Sequence, residues 1–143
     1  MTTKTRVALH VVAPLVLGLA LYMAWRSKEV HVVSFMSRIA PRGVDAMQGA
    51  GASRVPGLIL GSLPDALWAW SFGAAIALLW RGKPWREKRL WLGAGGLVAL
   101  FAELGQAVHV VPGTYDVADL LAIAVAYALG ALLASRRAAE PLT

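Results

Sequence analysis

The sequence contains no cysteine, so disulfide bonds, thiolate nucleophiles and cysteine-bound metals are all excluded. Charged residues are also scarce, at 15% of the chain against about 25% in a typical soluble domain. Hydrophobic residues make up 58% of the 143 positions, and the mean hydropathy is +0.61. This surplus of apolar surface requires lipid, so the composition predicts a membrane protein.

Acidic residues are fewer than basic ones, which leaves a net charge of +6. The basic residues occur in short clusters at the ends of apolar runs, where they contact anionic headgroups and mark cytoplasmic loops. We therefore expect these basic side chains to interact with membrane lipids and not with nucleic acid.

Four apolar runs are long enough to cross a bilayer: about 7–25, 55–80, 90–111 and 117–135. The first, Val7 to Trp25, would span about 28 Å as a helix, close to the thickness of the hydrocarbon core. A cleaved signal peptide is the alternative for this run. We favour a retained helix because the run exceeds a usual signal core and no small-x-small cleavage site follows Leu21.

Two features interrupt the chain before the second span. Residues 27–54 are polar and basic with interleaved apolar side chains, which predicts a short interfacial helix that ends near Pro41 and Gly43. The second run carries Gly61 and Pro64, so we expect an embedded segment, a break at Gly61, and a helix that begins at Ser62 with Asp65 in a capping box.

The strongest topological signal is the basic loop between the second and third spans: Arg81, Lys83, Arg86, Lys88 and Arg89. It places that loop in the cytoplasm and, with four spans, both termini as well. Small residues in the third and fourth spans favour close helix packing. The predicted fold is one all-α domain over residues 1–143, a four-transmembrane-helix bundle with a short interfacial helix and a broken segment before helix 2.

Glu103 is the leading candidate functional residue because it lies inside an apolar run, where an ionisable side chain usually has a function. Gln106 is three residues further on and shares its helix face. Asp116 and Asp119 have a structural alternative, since an aspartate at the N-cap with an acid in the first turn is a common helix start. His109 is also explained as an interfacial aromatic residue.

The predicted topology brings all these residues, together with Asp65, to the outer end of the bundle. Histidine and carboxylates can bind zinc or another divalent cation, which leaves a metal site as an alternative. Their spacing matches no specific metal-binding signature, so we expect no metal and no cofactor. Thr114 and Tyr115, in the turn between the last two spans, complete the candidate ligand-binding set.

The residues Glu103-x-x-Gln106, Gly113 in the following turn, Asp116-x-x-Asp119 and Gly130 in the last helix resemble the VanZ-like family of small bacterial membrane proteins. The resemblance covers about the last 40 residues. That family is named for a protein of a glycopeptide-resistance cluster associated with teicoplanin resistance. The resemblance implies a four-span membrane protein whose polar positions are Glu103, Gln106, Asp116 and Asp119, although Thr114 stands where the family often has arginine.

The resemblance, together with the clustering of acids opposite the basic loop, implies a protein of the cytoplasmic (inner) membrane with an outward-facing acidic pocket. We expect this pocket to bind or modify a lipid-linked or other cell-envelope component, or to bind a small cation-bearing ligand. Glu103, Asp119 and Asp116 are the candidate catalytic residues, and the ligand-binding set is Asp65, Gln106, His109, Thr114 and Tyr115. Three alternatives stay open: an acid/base enzyme acting on a lipid-linked substrate, a proton or cation transporter, and a subunit of a homo-oligomer or larger membrane complex.

Overall fold

The structure is a computed structural model that describes residues 2–25, 31–50, 57–111 and 114–136. These residues form six helices and no strand: α1 (Thr3–Trp25), α2 (His31–Ile39), α3 (Pro41–Ala50), α4 (Gly57–Leu79), α5 (Trp85–Ala107) and α6 (Val117–Ser135). Helix α1 includes one π-helical turn, Ala8–Val12. The prediction of an all-α protein is confirmed.

Within the described part of the chain, four helical segments are long and apolar enough to cross a membrane: Thr3–Trp25, Gly61–Leu79, Trp85–Ala107 and Val117–Ser135. The fourth has the predicted bounds, whereas the first and third begin earlier than predicted. The hydropathy profile marks where the apolar stretch starts, while the helix itself starts at its cap. At α1 that cap is Thr2, whose side chain accepts a hydrogen bond from the Thr5 amide at 3.2 Å.

The predicted break at Gly61 is wrong. Helix α4 runs without interruption from Gly57 to Leu79 and contains Pro64. An unpaired backbone group in hydrocarbon costs several kcal/mol, which exceeds the cost of about 1 kcal/mol for glycine in a helix, so the chain keeps its helix. Ser62 and Asp65 therefore lie inside α4, and the capping box proposed for them does not exist.

The polar segment before α4 contains two short helices where one was predicted. Pro41 begins the second of them, and Gly43 lies within it without ending it. Val33 of α2 and Val44 of α3 are buried against Met23 of α1, so this pair of helices packs on the second half of the first span. The flanking residues 27–30 and 51–54 lie outside the described ranges.

Helix α4 occupies the centre of the bundle and contacts α1, α5 and α6. Its most extensive contact is with α6, where two glycines allow the backbones to touch. A Cβ atom on Gly73 would clash with the carbonyl of Tyr127, and one on Gly130 would clash with the carbonyl of Trp70. The sequence predicted close packing from small residues of the third and fourth spans. The structure shows it for the fourth span, α6, against the second, α4.

The N-terminus of α1, the start of α5 and the end of α6 meet at one end of the bundle. Arg6 is buried, at 4% exposure, and its guanidinium donates to the carbonyls of Ala134, at 3.0 Å, and Arg136. Lys88 donates to the hydroxyl of Ser135 at 2.9 Å. A four-span topology with the basic loop and both termini on one side requires this arrangement.

Helix α5 ends at Ala107, earlier than the predicted Val111. The amide of Val110 donates to the carbonyl of Gly105, at 2.8 Å, and the amide of His109 donates to the carbonyl of Gln106, at 3.1 Å. His109 has a φ of 59°, so it takes the left-handed position that glycine usually fills in this helix-ending Schellman motif. The apolar valines that follow extended the predicted span beyond the helix itself.

Candidate functional site

A cavity of about 770 Å³ lies between α4, α5 and α6, near the end of the bundle opposite the basic loop. Its polar lining consists of Asp65, Glu103, Gln106, Thr114 and Asp119. Its apolar lining consists of Trp68, Ala69, Phe72, Val98, Ala99, Ala102 and Ile123. Five of the eight predicted site residues therefore share one cavity, and it has an acidic part and an apolar part.

Glu103 is the most deeply buried acid of this cavity, at 8% exposure. Its Oε2 atom is buried and has no hydrogen-bond partner among the described residues. A buried polar atom without a partner is unfavourable and rare in folded proteins, so it calls for an explanation such as a ligand. The prediction that Glu103 faces into the bundle instead of the lipid agrees with this burial.

Asp119 lies in the first turn of α6, and its Oδ1 atom accepts a hydrogen bond from the hydroxyl of Ser62 on α4. This contact fixes the carboxyl group against the central helix. Asp65 is one turn further along α4, half-buried, and lines the same cavity. Because Asp65 lies inside α4, it is not a helix cap, and the capping role considered for it from the sequence is wrong.

Gln106 and Thr114 line the same cavity. Gln106 follows Glu103 by three residues on α5, which confirms that the two share a helix face. Thr114 belongs to the connection that leads into α6 and is exposed.

Three predicted site residues are not brought to the cavity. Asp116 is the N-cap of α6, and its carboxylate accepts the Ala118 amide at 2.8 Å, so the structural alternative for it is confirmed. His109 is exposed at the end of α5, where its backbone conformation ends the helix. Tyr115 is 41% exposed and lies outside the cavity lining.

Sequence reasoning did not single out the aromatic wall of the cavity. Trp68 stacks on Tyr22 of α1 with ring centroids 5.4 Å apart and lines the cavity. Phe72, one turn further along α4, lies beside Tyr127. The sequence signal for this wall is that Trp68 and Phe72 are four residues apart and therefore lie on one face of α4, the face that carries Asp65.

The polar residues of the first span were also missed. His10 lies in the π-helical turn of α1, half-buried, with its ring 6.3 Å from that of Trp70. Arg6, one turn earlier, was assigned to the headgroup region but is buried against α6. An ionisable residue within an apolar run, the signal that identified Glu103, applies to His10 as well.

The acids of the cavity are not gathered as a metal site. Among the described residues, no group of three or more histidine, aspartate and glutamate side chains is placed to hold a metal ion. The described lining also contains no lysine, arginine or histidine. The site therefore presents hydrogen-bond acceptors and negative charge beside an apolar wall.

The fold and this cavity define a class of protein: a multi-pass helical membrane protein with four candidate spans and a polar cavity inside the bundle. Comparison with known protein families, curated proteins and solved structures gave no match, so no family assignment follows from them.

Proposed function

We propose that this protein is a VanZ-like protein of the cytoplasmic membrane that binds a cell-envelope component in the cavity between α4, α5 and α6. The single observation that carries the proposal is the buried Oε2 atom of Glu103, which lines that cavity and lacks a partner among the described residues. A bound ligand would supply the missing hydrogen bond. The motif Glu103-x-x-Gln106 with Asp116-x-x-Asp119 is the basis of the VanZ-like assignment.

The position of the cavity favours an extracytoplasmic ligand. Ser135, which Lys88 contacts, and Asp119, which lines the cavity, are 16 positions apart on α6, or about 24 Å of helix. Because the basic loop is predicted to be cytoplasmic, the acidic part of the cavity then faces the outer leaflet. Lipid-linked envelope components are exposed in that leaflet.

The site combines a hydrogen-bonded acid, Asp119, with Glu103, whose Oε2 atom has no partner among the described residues. Ser62 holds the carboxyl of Asp119 in place, so that its remaining acceptor capacity is oriented before the ligand binds. Glu103 supplies an acceptor from the opposite helix, and Gln106 adds an amide that donates and accepts. Preorganised acceptors of this kind raise affinity because less conformational freedom is lost on binding.

The proposal is tested with Glu103→Gln and Asp119→Asn in cells that carry the protein, with Glu87→Gln as the matched control. Glu87 is an exposed acid in the first turn of α5, far from the cavity. We expect both cavity variants to abolish the protein's effect on glycopeptide or envelope-stress sensitivity while membrane insertion is unchanged. If both cavity variants affect glycopeptide or envelope-stress sensitivity as strongly as the unmodified protein does, the proposal is contradicted.

An enzyme acting on a lipid-linked substrate is the second candidate. It is favoured by two carboxyl groups of one cavity in contrasting surroundings. The Oε2 atom of Glu103 has no partner among the described residues, whereas Asp119 is hydrogen-bonded to Ser62. Such contrast is typical of acid and base pairs in hydrolytic sites. Incubating the purified protein with membrane lipids and searching by mass spectrometry for a Glu103-dependent product tests it, and the absence of any product from a broad lipid panel argues for binding alone.

A further inference from the structure

We infer that the ligand of this cavity is an amphiphile whose polar group is an ammonium. This inference rests on the proposed binding function and specifies its ligand class. Its evidence is the charge of the described lining, the unpartnered atom of Glu103 and the apolar wall beside it.

The charged side chains of the described lining are of one sign. Glu103 and Asp119 lie across the cavity from each other on α5 and α6, and no basic side chain among the described residues lines the same space. In a low-dielectric surrounding this charge repels a phosphate or carboxylate group and attracts a cation. A ligand that carries only an anionic headgroup is therefore disfavoured.

The hydrogen-bonding pattern also requires a donor. An ionised carboxylate only accepts hydrogen bonds, and an ammonium group carries three donors and no acceptor. The side chain of Glu103 is more than nine-tenths buried, with Oε2 unpartnered among the described residues, and lines the cavity. An ammonium group placed there satisfies this atom and neutralises the charge in the same step, which a neutral hydroxyl does only in part.

The apolar part of the cavity explains why the ligand needs a tail. Phe72 is 37% exposed and Val98 is 65% exposed, and both line the cavity between α4 and α5. The α4–α5 contact is far less extensive than the α4–α6 contact, so the bundle is less tightly closed on this side. An alkyl chain lying along these side chains removes them from contact with water or fills space that lipid would otherwise occupy.

The test measures binding to the full-length protein in maltoside detergent at pH 7, by native mass spectrometry and thermal shift. The probes are dodecylamine, dodecanol, dodecyl phosphate and ethylamine. Dodecylamine is protonated at this pH because alkylamines have pKa values of about 10. We expect dodecylamine to bind at least tenfold more tightly than the other three, and Glu103→Gln, but not Glu87→Gln, to remove that preference.

Each other outcome has a defined meaning. Equal binding of dodecanol or dodecyl phosphate overturns the ammonium assignment while leaving the cavity as a binding site. Equal binding of ethylamine overturns the requirement for a tail. If none of the amphiphiles binds in a way that depends on Glu103, the proposed function itself fails. The comparison of probes on the unmodified protein remains decisive even if a variant does not fold.

A second arm separates a lipid headgroup from a free single-chain amine. The protein is placed in nanodiscs of phosphatidylglycerol alone or with phosphatidylethanolamine, and dodecylamine is titrated into both. If the natural source is a lipid headgroup, phosphatidylethanolamine weakens dodecylamine binding at least tenfold by competition. If the affinity is unchanged, the lipid source is wrong and a free amine is the ligand.

Discussion

The hydroxyl of Ser62 donates a hydrogen bond to Oδ1 of Asp119 and thereby joins the central helix α4 to the start of α6 beside the cavity. Removing it should loosen the bundle where the site is formed. We expect Ser62→Ala to lower the free energy of unfolding by about 0.5–2 kcal/mol, the range found for side-chain hydrogen bonds between membrane helices. Unfolding in mixed detergent measures this change.

Ser71→Ala is the matched control for that substitution. Ser71 lies on the same helix and is buried, but its hydroxyl donates to the carbonyl of Leu67, within α4, at 3.0 Å. Because that bond does not join two helices, its loss should have the smaller effect. Equal destabilisation by both substitutions would show that the Ser62–Asp119 bond contributes nothing specific.

The crossing of α4 and α6 depends on Gly73 and Gly130. An added methyl at either glycine meets a backbone carbonyl of the other helix, which cannot move aside as a flexible side chain can. We expect Gly73→Ala and Gly130→Ala each to destabilise the bundle by about 1–3 kcal/mol through overpacking. Gly93→Ala is the control, since nothing lies within 4 Å of the added Cβ there. Thermal unfolding of the purified variants distinguishes them.

Arg6 links the first span to the end of the last through the carbonyls of Ala134 and Arg136. A cation at a helix C-terminus also interacts favourably with the helix dipole. We expect Arg6→Lys, which keeps the charge that topology needs, to lower the free energy of unfolding by about 1–2 kcal/mol because the two-carbonyl geometry is lost. Lys4→Arg, at an exposed neighbouring position, should leave the free energy of unfolding unchanged.

His109 provides a way to separate a structural role from a ligand role. Its φ of 59° is favourable for glycine and unfavourable for other residues by about 1–2 kcal/mol. We expect His109→Gly to preserve the end of α5 and to leave stability unchanged or increase it by up to about 1 kcal/mol. The same variant should bind the cavity ligand normally, because His109 does not line the cavity. Weaker ligand binding by His109→Gly would show that His109 contributes to the binding site.

The sequence was most informative where a single physical requirement decides the structure. A segment that crosses the hydrocarbon core must be a long apolar helix, so the four spans were predictable. Asp116, as the N-cap, identified where α6 begins. It was least informative where two requirements compete. Gly61 and Pro64 are helix breakers in water, but in lipid the cost of unpaired backbone groups keeps α4 continuous.

The composition of the cavity was predictable only in part. An ionisable side chain within a membrane span is energetically unfavourable and therefore rare. Glu103 and its neighbours were predicted as site residues for that reason. The contacts that orient them were not predictable, because Ser62 and Asp119 are 57 positions apart and meet only through the packing of α4 on α6. Asp116 and Asp119 look alike in the sequence, yet one caps its helix and the other lines the cavity.

Glu103→Gln should separate stability from function. The carboxylate has a buried oxygen without a partner among the described residues, so the folded protein bears a cost of about 1–3 kcal/mol for it. Glutamine has the same shape and no charge, and we expect it to leave the free energy of unfolding unchanged or to raise it by up to about 2 kcal/mol. A gain in stability with a loss of ligand binding is the trade-off expected of a residue that serves a binding site. Detergent unfolding of Glu103→Gln beside Glu87→Gln measures the difference. If Glu103→Gln destabilises the protein by more than about 1 kcal/mol while ligand binding persists, the carboxylate is a structural hydrogen-bonding group and the cavity loses its central residue.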